Sequence, residues 1–217
     1  MKIFNLILIF VIFFTFIPMT AFAETSNRPI TIEVNGDIVN IIAYVNITGN
    51  AADLTIGGTT YRQAAIDGII QNWSGDKDGV YVNVEIIEVE NNSDQSSLNI
   101  RIRNGVGLSR LLGHRRWTPE TPGTIVLYQG DERVRTTHRY RLNEFKRMAA
   151  HEFGHALGVC DTPRRDIMTI MSPLMWLTSA TRLDLELAIQ ANNDGWQRFE
   201  DNLELIETYG TPWAWIR

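Results

Sequence analysis

His151-Glu152-Phe153-Gly154-His155-Ala156-Leu157-Gly158-Val159-Cys160-Asp161 is the stretch on which the reading of this chain turns. Residues four apart on an α-helix share a face and are separated by about 6 Å of rise, so His151 and His155 can grip one ion. At about 100° per residue, Phe145, Ala149, Phe153, Ala156 and Leu157 fall on another side as a continuous apolar stripe. One face is therefore predicted to carry chemistry and the other to enter a core. Catalytic zinc takes three protein ligands and keeps a fourth position open. Gly158 stands where the helix should stop, because glycine accepts the left-handed backbone that reverses the chain. The reversal lets Asp161 swing under the ion as third ligand, with Asp166 as its rival. Glu152, one residue past the first ligand, is poorly placed to coordinate but can bond the metal's water and take its proton.

This pattern resembles the metzincin metallopeptidases, written H-E-x-x-H-x-x-G-x-x-H, and is most similar to their matrixin-like branch. Asp161 replaces the last histidine, as in some secreted bacterial members. A carboxylate leaves the site about one unit less positive than three imidazoles do, which implies a less acidic bound water and a raised pH optimum. The resemblance implies an α+β fold: a twisted mixed sheet with backing helices, a zinc helix, and a small C-terminal subdomain with a methionine turn. Within Asp166 to Pro173, Met168 and Met171 are both candidates for that turn, and Met171-Ser172-Pro173 is closer to the family's form. By the same resemblance, Leu174 and Trp176 would line the pocket for the residue after the scissile bond. Thr124 to Tyr128, with Ile125 and Leu127, would be the edge strand that pairs with extended substrate.

Elsewhere the periodicity is plain. Ile30–Val34 and Val39–Val45 are β-rich and flank the turn Asn35-Gly36-Asp37, which predicts a hairpin or one strand with a bulge. Tyr61, Ala65, Ile69 and Trp73 recur every four residues and predict a helix over Thr59–Trp73, ended by Ser74-Gly75. Tyr81–Val89 and Leu98–Arg103 alternate as two strands with one solvated face. Residues 104 to 123, with glycines, prolines and His114-Arg115-Arg116, are expected to form a long surface loop. Gln129-Gly130-Asp131 is read as a turn, Asn143 as the cap of the zinc helix, and Thr181 with Asp184 as the cap of a last helix.

The chain has 217 residues, 44% of them apolar, enough for one well-filled domain. Residues 1–23 read as a secretory signal: Met1-Lys2, an apolar run, then Ala21-Phe22-Ala23 as a small-x-small cleavage site. An uncleaved N-terminal anchor is the alternative. The catalytic domain then spans 24–217, with an upper subdomain to about 158 and a lower one from about 159. Losing Lys2 moves the net charge from −5 to −6, which argues against nucleic acid as a partner. Cys160 is the only cysteine, so no internal disulfide exists, and it is read as a small buried thiol. His114 and His138 lack partners at ligand spacing and are read as solvated loop residues.

These features predict a secreted zinc endopeptidase acting on protein or peptide substrates, without stable membrane association after signal cleavage. His151, His155 and Asp161 hold the metal and Glu152 is the base. Two rivals share the residues: a secreted binding protein on an idle metzincin scaffold, and a zinc hydrolase of cell-wall peptides or another amide. Structural calcium and the role of the tail with Trp196, Trp213 and Trp215 stay open.

Overall fold

The computed structural model describes residues 27–90, 95–113, 117–131, 139–161, 169–171 and 179–195. The signal segment, His114, His138, Asp166, Met168, Leu174, Trp176 and the tail from 196 lie outside them. Among the described residues no helix is long and apolar enough to cross a membrane.

The centre of the fold is a long strand, β2 (Ile38–Thr48), in which Val39, Ile41, Ala43, Val45 and Ile47 alternate into the core. β1 (Ile30–Asn35) folds back on it as an antiparallel hairpin, the first of the two readings, with Asn35 opposite Ile38. β6 (Val80–Glu88) and β7 (Leu98–Gly107) both run parallel to β2, on its two sides. β9 (Thr124–Asp131) runs parallel to β7. Two short antiparallel strands finish the seven-stranded mixed sheet: β5 (Gly75–Lys77) beside β6, and β8 (Arg110–Leu112) beside β9. A separate small pair, β3 (Thr55–Ile56) and β4 (Thr59–Thr60), leads into the first helix.

That helix, α1 (Tyr61–Trp73), is capped by the Thr60 hydroxyl, which accepts from the Gln63 N–H at 3.1 Å. Tyr61, Ala65, Ile69 and Trp73 are all buried, as their spacing predicts. The histidine-bearing helix α2 (Leu142–Ala156) buries Phe145, Ala149, Phe153 and Ala156. α1 and α2 lie side by side over one sheet face, with Tyr61 edge-on to Phe145 at 4.8 Å between ring centroids. Ile100, Ile102, Ile125 and Leu127 meet them from the sheet. Each such apolar side chain contributes about 1.5–3 kcal/mol by leaving water, so the helix that carries the histidines rests on a densely packed part of the molecule. α3 (Arg182–Asp194) opens with the expected Thr181–Asp184 capping box.

Four expectations need correcting. The segment 104–123 is not all loop, since it contains β8, and Leu111 and Trp117 within it are buried. β9 continues through Asp131, so Gln129-Gly130-Asp131 is strand rather than turn. β9 is not the sheet edge at Thr124–Val126, because β8 pairs there. Ile125 and Leu127 are wholly enclosed in the core and their side chains are unavailable to a substrate. The cap of α2 is Arg141 rather than Asn143: the Glu144 carboxylate reaches back to accept from the Arg141 N–H at 2.7 Å, and this starts the helix two residues sooner.

Candidate metal centre

His151 and His155 occupy successive turns of α2, with ring centroids 4.9 Å apart and planes at 83°. Each ring is oriented from behind. His151 Nδ1 is 2.8 Å from the Ile170 carbonyl, and His155 Nδ1 is 2.8 Å from the Val159 carbonyl. A carbonyl offers only lone pairs, so both Nδ1 atoms must carry the hydrogen. In the neutral rings both Nε2 atoms then present bare lone pairs, the tautomer a metal requires. They point at the same place. Asp161 Oδ1 is 3.3 Å from His151 Nε2 and 3.5 Å from His155 Nε2.

Three acceptors converging on one point repel unless a cation lies among them, and only a proton or a metal ion is small enough. Burial opposes charge on His151, but the hydrogen bond to Asp161 and the charges of Glu152 and Asp161 outweigh it and lift its pKa to about 9. Asp161 is held far below the usual carboxylate range: its partial desolvation is outweighed by hydrogen bonds from both imidazoles. The distances also fit a metal. Donors standing 2.0–2.2 Å from one ion at tetrahedral angles are about 3.3–3.5 Å apart, as these are. His151, His155 and Asp161 are the described residues that can together hold an ion, with all ligand atoms within 4.8 Å.

Local sequence builds this arrangement. Gly158 takes φ = +91°, and the Gly158 N–H bonds the His155 carbonyl while the Val159 N–H reaches the Gly154 carbonyl, both at 3.0 Å. This is a Schellman ending. It turns the Val159 carbonyl back onto the His155 ring and sends the chain on to Asp161. Trp117 Nε1 donates to the Ala156 carbonyl at 2.9 Å, satisfying one of the orphan acceptors of the helix end. Trp73 Nε1 donates to the Ala150 carbonyl, also at 2.9 Å, and so ties the end of α1 to the middle of α2 one residue before His151.

Met171 is fully buried against Gly154, where an added Cβ would collide with its sulfur. It therefore floors the turn of helix between the two histidines. Glu152 is 3% exposed, adjoins His151 in the chain, and is near enough for its charge to raise the His151 pKa. Cys160 is 2% exposed and, by burial first and the Asp161 charge second, its thiol is pushed up to about 12. It is the inert buried thiol expected.

Sequence reasoning did not reach the second layer. Asp184, 1% exposed at the start of α3, accepts from the Thr181 N–H at 2.7 Å and hydroxyl at 2.9 Å, and from the Thr169 hydroxyl and Ile170 N–H. Ile170 then offers its carbonyl to His151, so α3 holds the His151 ring through one residue. The Thr181–Asp184 spacing revealed a cap, but nothing local in sequence ties that cap to a histidine behind it. No protein-family model and no curated protein matches the chain.

Proposed function

We propose that the protein is a secreted zinc-dependent endopeptidase of metzincin type. One observation carries the reading: two imidazoles with Nδ1 tied to backbone carbonyls aim their Nε2 atoms, at 3.3 and 3.5 Å, toward one oxygen of Asp161. Two nitrogens and a carboxylate oxygen suit zinc among the common ions, and three ligands are the number a catalytic zinc site uses. Bound zinc would supply a Lewis acid for the substrate carbonyl and lower the pKa of water.

The remaining work falls to the chain. The Glu152 carboxylate takes a proton from the attacking water and returns it to the leaving amine nitrogen. Its burial keeps bulk water from competing for that proton. A vestigial binding scaffold has no physical need for that carboxylate. The short strand β8 takes over the substrate-pairing role expected of β9, since among the described residues no strand pairs with its outer edge.

The test is cleavage of a peptide library by the secreted chain beside Glu152→Gln, with zinc determined in both. Cleavage by the first alone, at equal zinc, is expected. Equal cleavage by both would remove Glu152 from its role, and no cleavage at full zinc would favour the idle scaffold or a non-peptide substrate.

A further inference from the structure

The sheet face opposite α1 and α2 carries a concentrated charge pattern. Arg101 and Arg103 point outward from β7, and Arg110 from β8. Arg101 and Arg110 share a row across the sheet, each registered with Val126 of β9. Arg103 lies in the next row, registered with Tyr128. Several cations elsewhere are paired: Arg28 with Glu120 at 2.7 Å, Lys146 with Asp67 at 3.2 Å, Arg182 with Glu186 at 2.8 Å, and Arg62 with Asp53 at 3.2 Å. Among the described residues none of these three arginines has an acidic partner. On a chain of net charge −5, three neighbouring uncompensated guanidinium groups are a feature to be explained.

The patch is built as well as charged. Arg101, Arg103, Asn50, Asn104 and Tyr128 line an open recess. The Tyr128 ring lies against Gly107, where a Cβ would stand 2.6 Å from its edge. Arg103 Nη1 donates to the Tyr128 hydroxyl at 3.3 Å, with the guanidinium 6.0 Å from the ring centroid. Arg103 is thereby preset, which lowers the entropy lost on meeting a ligand.

We propose that this face binds an acidic, extended polypeptide segment at a site separated from the metal centre by the thickness of the sheet. Spacing decides the class. Arg101 and Arg103 are about 7 Å apart along the strand, the repeat of alternate carboxylates in an extended chain, and Arg110 is about 9–10 Å across it. Guanidinium groups so placed can each take one carboxylate in a forked bond. On a chain of net charge −5, three cations suit a ligand of few charges better than a dense polyanion, which the overall charge of the chain disfavours.

The experiment is fluorescence anisotropy of a labelled peptide alternating Glu and Thr, against the same peptide alternating Gln and Thr, on the full chain. The Glu peptide is expected to bind about tenfold tighter, with the advantage lost in high salt. The double variant Arg101→Gln with Arg103→Gln should lose the preference, whereas Arg182→Gln, a cation paired elsewhere, should keep it. Unchanged melting temperature shows that the variants are folded. Equal binding of the two peptides, or a preference that survives the double variant, would overturn the proposal. So would inorganic polyphosphate displacing the Glu peptide and binding more tightly through the same arginines, which would mark a surface for dense polyanions.

Discussion

Gly158→Ala joins the fold to the site in a single perturbation. At φ = +91° an L-residue is strained, which costs about 1–2 kcal/mol. The new methyl would stand 2.6 Å from Ala191 Cβ and 2.8 Å from the Trp117 ring. Neither neighbour yields easily: Ala191 is fixed to α3, and Trp117 is buried with its N–H tied to the Ala156 carbonyl. Overpacking of that kind costs about 1–3 kcal/mol more. The sum, about 2–5 kcal/mol, is a large share of the 5–15 kcal/mol by which a domain is typically stable. It should lower the melting temperature by roughly 5–15 °C. Gly195→Ala is the internal control, because Gly195 has φ = +75° and an added methyl there would find nothing within 4 Å, so it meets the backbone cost alone. Zinc affinity separates them further. Only at Gly158 would the Val159 carbonyl be displaced from His155 Nδ1, with an expected loss of about 10–100-fold. Thermal melts and competitive zinc titration of both variants check this. Equal melting temperatures and equal zinc affinities would show that neither the collision nor the Val159 contact matters.

Three further outcomes follow from buried titrating groups. In the metal-free protein His151 keeps its proton up to about pH 9, above its ordinary value, so metal must displace that proton. Apparent zinc affinity should therefore rise about tenfold per pH unit toward pH 9 and then level, with proton release seen by calorimetry in buffers of different ionisation enthalpy; a pH-independent affinity would contradict this. Burial raises the Asp184 pKa to about 6 against its hydrogen bonds to Thr181, Thr169 and Ile170. The folded state thus binds this proton more tightly than the unfolded chain, giving stability present below about pH 4 and lost as pH rises through 6. The step is about 3 kcal/mol and should vanish in Asp184→Asn, measured by urea unfolding across that range. Cys160, with its thiol pushed up to about 12, should resist thiol reagents at pH 8 except at the rate of unfolding, and labelling of the folded protein within seconds would contradict its burial.

The features that were legible in the sequence are those whose causes are local. The four-residue spacing of His151 and His155, the glycine that ends their helix, the apolar stripe beneath and the Thr181–Asp184 cap each follow from neighbours within one or two turns. The hairpin at Gly36 is of the same kind. What escaped depends on partners far along the chain. β8 is three residues whose strand character comes from pairing with Thr124–Val126, and nothing in Arg110-Leu111-Leu112 announces it. With β8 hidden, β9 reads as an edge and Ile125 and Leu127 fall on a cleft when they belong to the core. Trp117, placed in a loop by its surrounding prolines and arginines, instead closes the end of α2. The carbonyls of Ile170 and Val159 carry no side-chain signature at all, yet they set the tautomer of both histidines.

X-ray absorption at the zinc edge on the loaded full chain would decide whether His151, His155 and Asp161 are the metal's ligands. Two imidazole nitrogens and carboxylate or water oxygen at about 2.0–2.2 Å are expected, with no sulfur in the shell. A sulfur at about 2.3 Å would place Cys160 on the metal, and a shell lacking paired imidazoles would show that His151, His155 and Asp161 do not hold the ion.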